Sequence, residues 1–300
     1  MKEIQVYHVD AFTNEPFGGN PAGVVPDATQ LTEDEMQKIA RELNLSETAF
    51  LMTIEDKDVD FRVRFFTPTQ EIDFCGHATL AAAWTMATEH GWLDRATSIH
   101  FKTNIGIVPI DFSKRGEELQ SVIMTQATPQ IKDIEADIET ISKLVGISAS
   151  ELDPSYPIKL GSTGIWHLLI PVKTRKAIDE AIPNIDLLKD HNMTRGICTT
   201  HLFTFDSEEA DWKLYTRDFA PAVGIAEDPV TGSANGALAG YLLLENILDK
   251  HTEHDFLIGQ GEACGRPGQL HIKTSSNEHG PVIQVGGSAV CTIKGTVRLR

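Results

Sequence analysis

The chain is short of positive charge, short of cysteine and free of long apolar runs, and each shortage removes a class of function. Its 26 lysines and arginines face 43 aspartates and glutamates, a formal net charge of −17. So acidic a surface repels a phosphate backbone, which argues against nucleic acid as a partner. An anionic small molecule would need a local positive feature, such as a helix N-terminus, to overcome that field. The four cysteines, Cys75, Cys198, Cys264 and Cys291, stand far apart with no C-x-x-C pair. That usage fits a reducing, cytoplasmic setting and argues against a disulfide framework or a zinc site. No stretch approaches ~18 uninterrupted apolar residues, so no helical membrane span is expected. The opening MKEIQVYHVDAF lacks the apolar segment of a signal peptide and reads as a first strand. Cofactor signatures are missing as well. There is no G-x-x-x-x-G-K-[ST], no strand-linked G-x-G-x-x-G, no G-x-S-x-G and no His, Cys and carboxylate set at metal-ligand spacing. Neither a cofactor nor a metal is expected.

What is present is enough chain for two domains and an internal echo that divides it. Arg64-Phe65-Phe66-Thr67-Pro68 has the form R-x-F-x-P, and Arg217-Asp218-Phe219-Ala220-Pro221 repeats it 153 positions later. After each come a glycine and a small-residue-rich helix, one from Gly76 and His77, the other from Gly232 and Ser233. The order predicts a duplicated unit. The expected organisation is α+β, with two pseudo-symmetric lobes, each a curved, mostly antiparallel sheet wrapped around a central apolar helix. Residues 1–120 form the first lobe, joined by a C-terminal strand near 288–300, and residues 121–287 the second. Both helices are apolar around most of their circumference, so both are expected to be buried. Gly232, Gly236 and Gly240 share one face, where a close neighbour is expected, since glycine inside a helix costs ~1 kcal/mol against alanine.

Local signals place one further helix. Thr32 and Glu35 form a capping-box pair, and Leu31 and Met36 occupy the staple positions. Met36, Ile39, Ala40 and Leu43 then recur at helical spacing, and Asn44 ends the run. Glu47 falls at the junction with the next strand. The 153-residue shift puts Thr200 opposite it, so only the first half supplies this carboxylate. Enclosed in a cleft, such a glutamate is expected to have a raised pKa and to exchange protons near neutrality.

The two helix starts, at Gly76–His77 and Gly232–Ser233, carry unpaired N–H groups suited to a carboxylate. Either glycine alone would serve as an entry turn; the repetition makes the pair a candidate site between the halves. His77, Asp228, Ser233 (read as an N-cap) and Cys75 lie beside these starts. A helix start favours a thiolate at Cys75, but the matching position holds Thr231, so a two-thiol exchange lacks its partner.

Ser46-Glu47-Thr48-Ala49-Phe50, Cys75-Gly76-His77-Ala78-Thr79-Leu80-Ala81 and Glu227-Asp228-Pro229-Val230-Thr231-Gly232-Ser233-Ala234-Asn235-Gly236 resemble the phenazine-biosynthesis F-type (PhzF-like) isomerase family. The opening Asp10-Ala11-Phe12-Thr13 and the turn Gly18-Gly19-Asn20-Pro21 extend the resemblance over nearly the whole chain. It implies the two-lobed diaminopimelate epimerase-like fold, a homodimer, and a cofactor-independent proton shift on a small carboxylate-bearing substrate such as trans-2,3-dihydro-3-hydroxyanthranilate. It also implies Glu47 as general acid and base, with His77 and Asp228 completing the catalytic set. Ser46, Asn20, Ser233 and the backbone at Gly76 and Gly232 would then bind substrate. A one-cysteine racemase using Cys75 and a non-catalytic small-molecule binding module are the alternatives.

Overall fold

The structure, a computed structural model, describes residues 2–135, 137–278 and 280–299. Met1, Ala136, His279 and Arg300, which the expected segments include, lie outside the described residues. The chain divides into two units, Met1–Met124 with Gly286–Arg300, and Thr125–Val285.

In the first unit the strand Lys2–Ala11 pairs antiparallel with Asn20–Val25 on one side and Ala289–Leu299 on the other. The tight entry into Asn20–Val25 depends on Gly19, at φ +57°, where a Cβ would stand 2.1 Å from the Ala11 carbonyl oxygen. The helix Glu33–Leu43 starts at a complete Thr32–Glu35 capping box and stops at Asn44 in the left-handed region. It returns the chain so that Glu47–Thr53 runs parallel to Asn20–Val25. Phe61–Phe66 then pairs antiparallel with Glu47–Thr53, and the two-residue strand Glu71–Ile72 folds back on Phe65 and Phe66. After these comes the helix Gly76–Glu89, buried from His77 to Ala83 and again at Thr85 to Ala87. Next, Ser98–Thr103 runs parallel to Phe61–Phe66 and continues antiparallel into Gly106–Arg115.

The second unit repeats the sequence of moves. Trp166–Pro171 and Thr199–Thr204 are parallel, with helices between them, and Trp212–Phe219 returns antiparallel. A two-residue strand, Glu227–Asp228, folds back on Asp218 and Phe219. The helix Gly232–Leu244 follows, buried from Ala234 to Leu243. His254–Gln260 then runs parallel to Trp212–Phe219 and turns antiparallel into Gly268–Asn277. The arginine of each R-x-F-x-P has one job in both places. Arg64 grips Glu71 through Nε and Nη2, and Arg217 grips Glu227 in the same two-pronged way. Each is also held over the motif's phenylalanine, Phe66 or Phe219. On the second central helix, Gly240 meets the close neighbour expected of its face: a Cβ there would come 2.3 Å from Pro129 Cβ.

Candidate active site

Glu47 opens its strand directly after Ser46, and His77 is the second residue of the helix Gly76–Glu89, whose N-cap is Cys75. The fold gathers these side chains in the first unit. His77 Nε2 lies 3.3 Å from Ser46 Oγ and 3.2 Å from Glu47 Oε2. The second contact is a charge contact poorly aligned for hydrogen bonding, and Glu47 Oε2 is buried with no directed donor among the described residues. Cys75 Sγ stands 3.4 Å from His77 Nδ1 and 3.8 Å from Nε2. Ser46 Oγ also donates to the Pro21 carbonyl, at 3.4 Å. Asn20 is buried at the start of the strand paired alongside.

The electrostatics correct two expectations. Burial, the largest single influence on Glu47, does push its pKa up, but His77, Ser46 and Cys75 together outweigh it and hold the carboxyl below its usual 4.5. Burial pulls His77 down, yet Cys75 and Glu47 lift it well above 6.5. The charged partner at neutral pH is Glu47, because burial and the Glu47 charge push the Cys75 thiol up. The helix start therefore does not make Cys75 a thiolate: a nearly buried thiol beside a carboxylate loses more solvation than the helix end returns. At neutral pH these directions favour an ionised Glu47 and a neutral Cys75 thiol, with the Glu47 charge favouring the protonated form of His77.

Glu47, Cys75 and His77 each bring a metal-ligating atom within 4.8 Å of the others, a set invisible in the sequence spacing.

Asp228, Gly232 and Ser233 belong to the second unit. Asp228 is in the two-residue strand, opposite Asp218. The N-cap of the helix Gly232–Leu244 is Thr231, not Ser233, and it makes no side-chain cap bond. Its hydroxyl turns instead toward Asp228 Oδ2 at 2.6 Å and Asp218 Oδ2 at 3.0 Å. Ser233 sits one residue into the helix, and its carbonyl accepts from Thr163 Oγ1 at 3.4 Å. Sheet register also moves the counterpart of Glu47. Thr48 faces Phe66 and Thr200 faces Phe219, so the residue matching Glu47 is Thr199, not Thr200. The sequence reading missed a buried polar network here: His167, Thr199, His201, Asp218, Asn235 and Gln260. One signal could have found it. Asp218 occupies the place that the echo gives to Phe65. A separate cavity of about 380 Å³, lined by Trp166, Met193, Cys198 and Val223 among others, holds none of the expected residues.

The family described as phenazine biosynthesis-like protein matches residues 9–295. An uncharacterized isomerase of Clostridium acetobutylicum is 38% identical, over 100% of this chain and 99% of that one. The trans-2,3-dihydro-3-hydroxyanthranilate isomerase of Pseudomonas aeruginosa is 29% identical over 97% and 98%. Among solved structures, the Bacillus anthracis phenazine biosynthesis protein of the PhzF family superposes with a TM-score of 0.90, at 33% identity and full coverage of both chains. A hydroxyproline epimerase from Agrobacterium vitis shares the fold with a TM-score of 0.65 at 14% identity, covering 99% of this chain and 91% of that one. Among the described residues no helix is long and apolar enough to cross a membrane. With its fold, its duplicated architecture and nearly its whole length matched, this chain is an isomerase and belongs to the phenazine biosynthesis-like family.

Proposed function

We propose that the protein moves a proton within a small carboxylate-bearing substrate resembling trans-2,3-dihydro-3-hydroxyanthranilate, without a cofactor, using Glu47 first as base and then as acid. The observation that carries this reading is the Glu47 Oε2 atom, buried, ionised and lacking a directed donor. A native structure seldom leaves such an oxygen unsatisfied; a lone pair kept free is what a general base requires. His77 at 3.2 Å helps keep the carboxylate ionised. It also offers a positive charge to electron density that builds up after proton removal. Asp228 orients the substrate with His77. Ser46, Asn20, Ser233 and the backbone at Gly76 and Gly232 bind its polar groups. By the family resemblance the protein works as a homodimer, and its cysteine usage suits the cytoplasm.

Glu47→Gln keeps size and hydrogen bonding but cannot take the proton. Turnover of trans-2,3-dihydro-3-hydroxyanthranilate, followed by ultraviolet absorbance, is expected to fall by ~10²–10⁴, with binding of 3-hydroxyanthranilate retained. Near-normal turnover by the folded variant would remove Glu47 from the mechanism.

A further inference from the structure

The polar network in the second unit has an internal control. The matched ladders set Ala49 opposite Phe65 and His201 opposite Asp218, and set Ala22 beside Glu47 and His167 beside Thr199. The first unit thus builds the same strand arrangement with Ala22, Ala49 and Phe65 where the second buries His167, His201 and Asp218. All six of these residues are fully buried, at 0% exposure. The fold does not require the polar set, and burying charge is costly unless every partner is in place. Its partners point elsewhere, to Thr231 and Asp228.

Hydrogen positions in the network follow from two backbone anchors. The Thr231 N–H donates to Gln260 Oε1, and Gln260 Nε2 donates to the Asp228 carbonyl, which fixes that amide. Asn235 Nδ2 then donates to Gln260 Oε1 and to the Thr231 carbonyl, so Asn235 Oδ1 is the atom facing His201 Nε2 at 3.3 Å. A carbonyl oxygen can only accept, so His201 carries a hydrogen on Nε2. Its Nδ1 lies 3.0 Å from Asp218 Oδ1, which also accepts from Thr199 Oγ1 at 2.7 Å. Thr199 Oγ1 has spent its hydrogen there, so it accepts from His167 Nδ1 at 2.7 Å. His167 Nε2 is buried with no hydrogen-bond partner among the described residues, and burial holds the ring down at about 4, so His167 is neutral. With two donors on Oδ1 and a His201 ring that donates from both nitrogens beside it, Asp218 is the carboxylate and the acceptor of the network.

The Thr231 hydroxyl then presents a proton count. Its oxygen meets Asp218 Oδ2 at 3.0 Å, Asp228 Oδ2 at 2.6 Å and Gln260 Nε2 at 3.1 Å. One hydroxyl supplies one hydrogen and two lone pairs. It can donate to one carboxyl and accept from Gln260; the other carboxyl oxygen, at hydrogen-bond distance with no hydroxyl hydrogen left for it, must then carry the hydrogen between them. Asp218 is committed as acceptor, so the donor is Asp228.

We propose that the buried His201–Asp218 pair, acting through the Thr231 hydroxyl, holds Asp228 as a neutral carboxylic acid. His201, Asp218 and Thr231 are then positioning residues. Resting on the function proposed above, an uncharged Asp228 can meet a substrate carboxylate without repulsion, which an acidic chain would otherwise impose. Apolar surroundings are known to keep an aspartic acid neutral at pH 7 for hydrogen-bond donation; here a hydrogen-bond chain does it.

The test needs no substrate. Infrared difference spectra of the intact protein at neutral pH in D₂O, wild type minus Asp228→Asn, should show a carboxylic-acid C=O band. Thr231→Val should lose the same band, which covers the case of an Asp228→Asn chain that does not fold. Nitrogen-15 spectra should show both His201 ring nitrogens protonated. Absence of the acid band, its survival in Asp228→Asn, its loss in Glu47→Gln instead, or a singly protonated His201 would overturn the proposal. Turnover of Glu47→Gln is a separate readout, so either idea can fail while the other stands.

Discussion

Glu47 Oε2 lies 3.2 Å from His77 Nε2 without a well-aligned hydrogen bond between them. The pair therefore gains charge attraction while the carboxylate keeps a lone pair free. Its consequences are readable in pH.

Catalysis by the pair should have a broad plateau. Glu47 must be ionised, and its carboxyl sits below 4.5, so the acid limb should fall below that value. His77 must be protonated, and it sits well above 6.5, so the alkaline limb should lie above that value. A kcat/KM profile checks both limbs. His77→Asn, which carries no charge, should abolish the alkaline one; a limb that persists would assign it to another group.

Stability follows the same two groups with opposite signs. The depressed Glu47 contributes stability that is present above its ordinary pKa and is lost as pH falls through the lowered one. The raised His77 contributes stability that is present below 6.5 and is lost as pH rises through the raised value. In thermal melts, Glu47→Gln should therefore flatten the acid side of the Tm profile and His77→Asn the alkaline side. Unchanged profiles would mean the pair is not coupled in the folded state.

Cys75→Ser should keep most of the activity. The thiol is pushed up by burial and by Glu47, and its counterpart in the second unit is Thr231, so no second thiol completes a two-base exchange. A loss as large as that of Glu47→Gln would favour the one-cysteine racemase. Labelling with iodoacetamide at pH 7 should also be slow at Cys75, since the thiolate is the reactive form.

The two arginine clamps should differ in strength. Arg217 and Glu227 are 8% and 17% exposed, and Arg217 Nη1 also donates to the carbonyls of Ile178, Asp179 and Ala181. Arg64 and Glu71, 19% and 25% exposed, share their clamp with the solvated Glu33. Arg217→Met leaves Glu227 uncompensated and should cost about 3–5 kcal/mol in urea unfolding, the usual effect of breaking a buried pair. Arg64→Met should cost less; the reverse order would refute the burial argument.

Gly240→Ala should destabilise by about 1–3 kcal/mol through overpacking, because the new Cβ would meet Pro129 at 2.3 Å. Gly295→Ala, whose Cβ finds only Val6 at 3.9 Å, is the control and should be nearly neutral. Equal effects would show that lost backbone freedom, not contact, governs both.

The amino-acid order by itself determined the features that act over a few residues or repeat. The Thr32–Glu35 cap needs only neighbours one helical turn apart, and it forms where its residues predict. The apolar circumference of Gly76–Glu89 and Gly232–Leu244 required burial wherever those helices went. The R-x-F-x-P echo carried the duplication, because the same local chain with the same arginine clamp folds the same way twice. Glu47 stood out because it follows a well-capped helix at the first residue of a strand. Only the tertiary structure decided what surrounds it. Ser46 and His77 are separated by 31 positions, and no spacing rule connects them until two ladders and a helix close the distance. Sheet register replaced Thr200 by Thr199, since a one-residue offset in pairing exchanges the faces of a strand. The directions at Glu47 and Cys75 depended on which effect wins, burial or partners, and that balance exists only once the chain has packed. The His201–Asp218–Thr231 chain was hidden for the same reason: hydrogen bonds are read from angles and distances between distant segments, and a linear sequence contains neither.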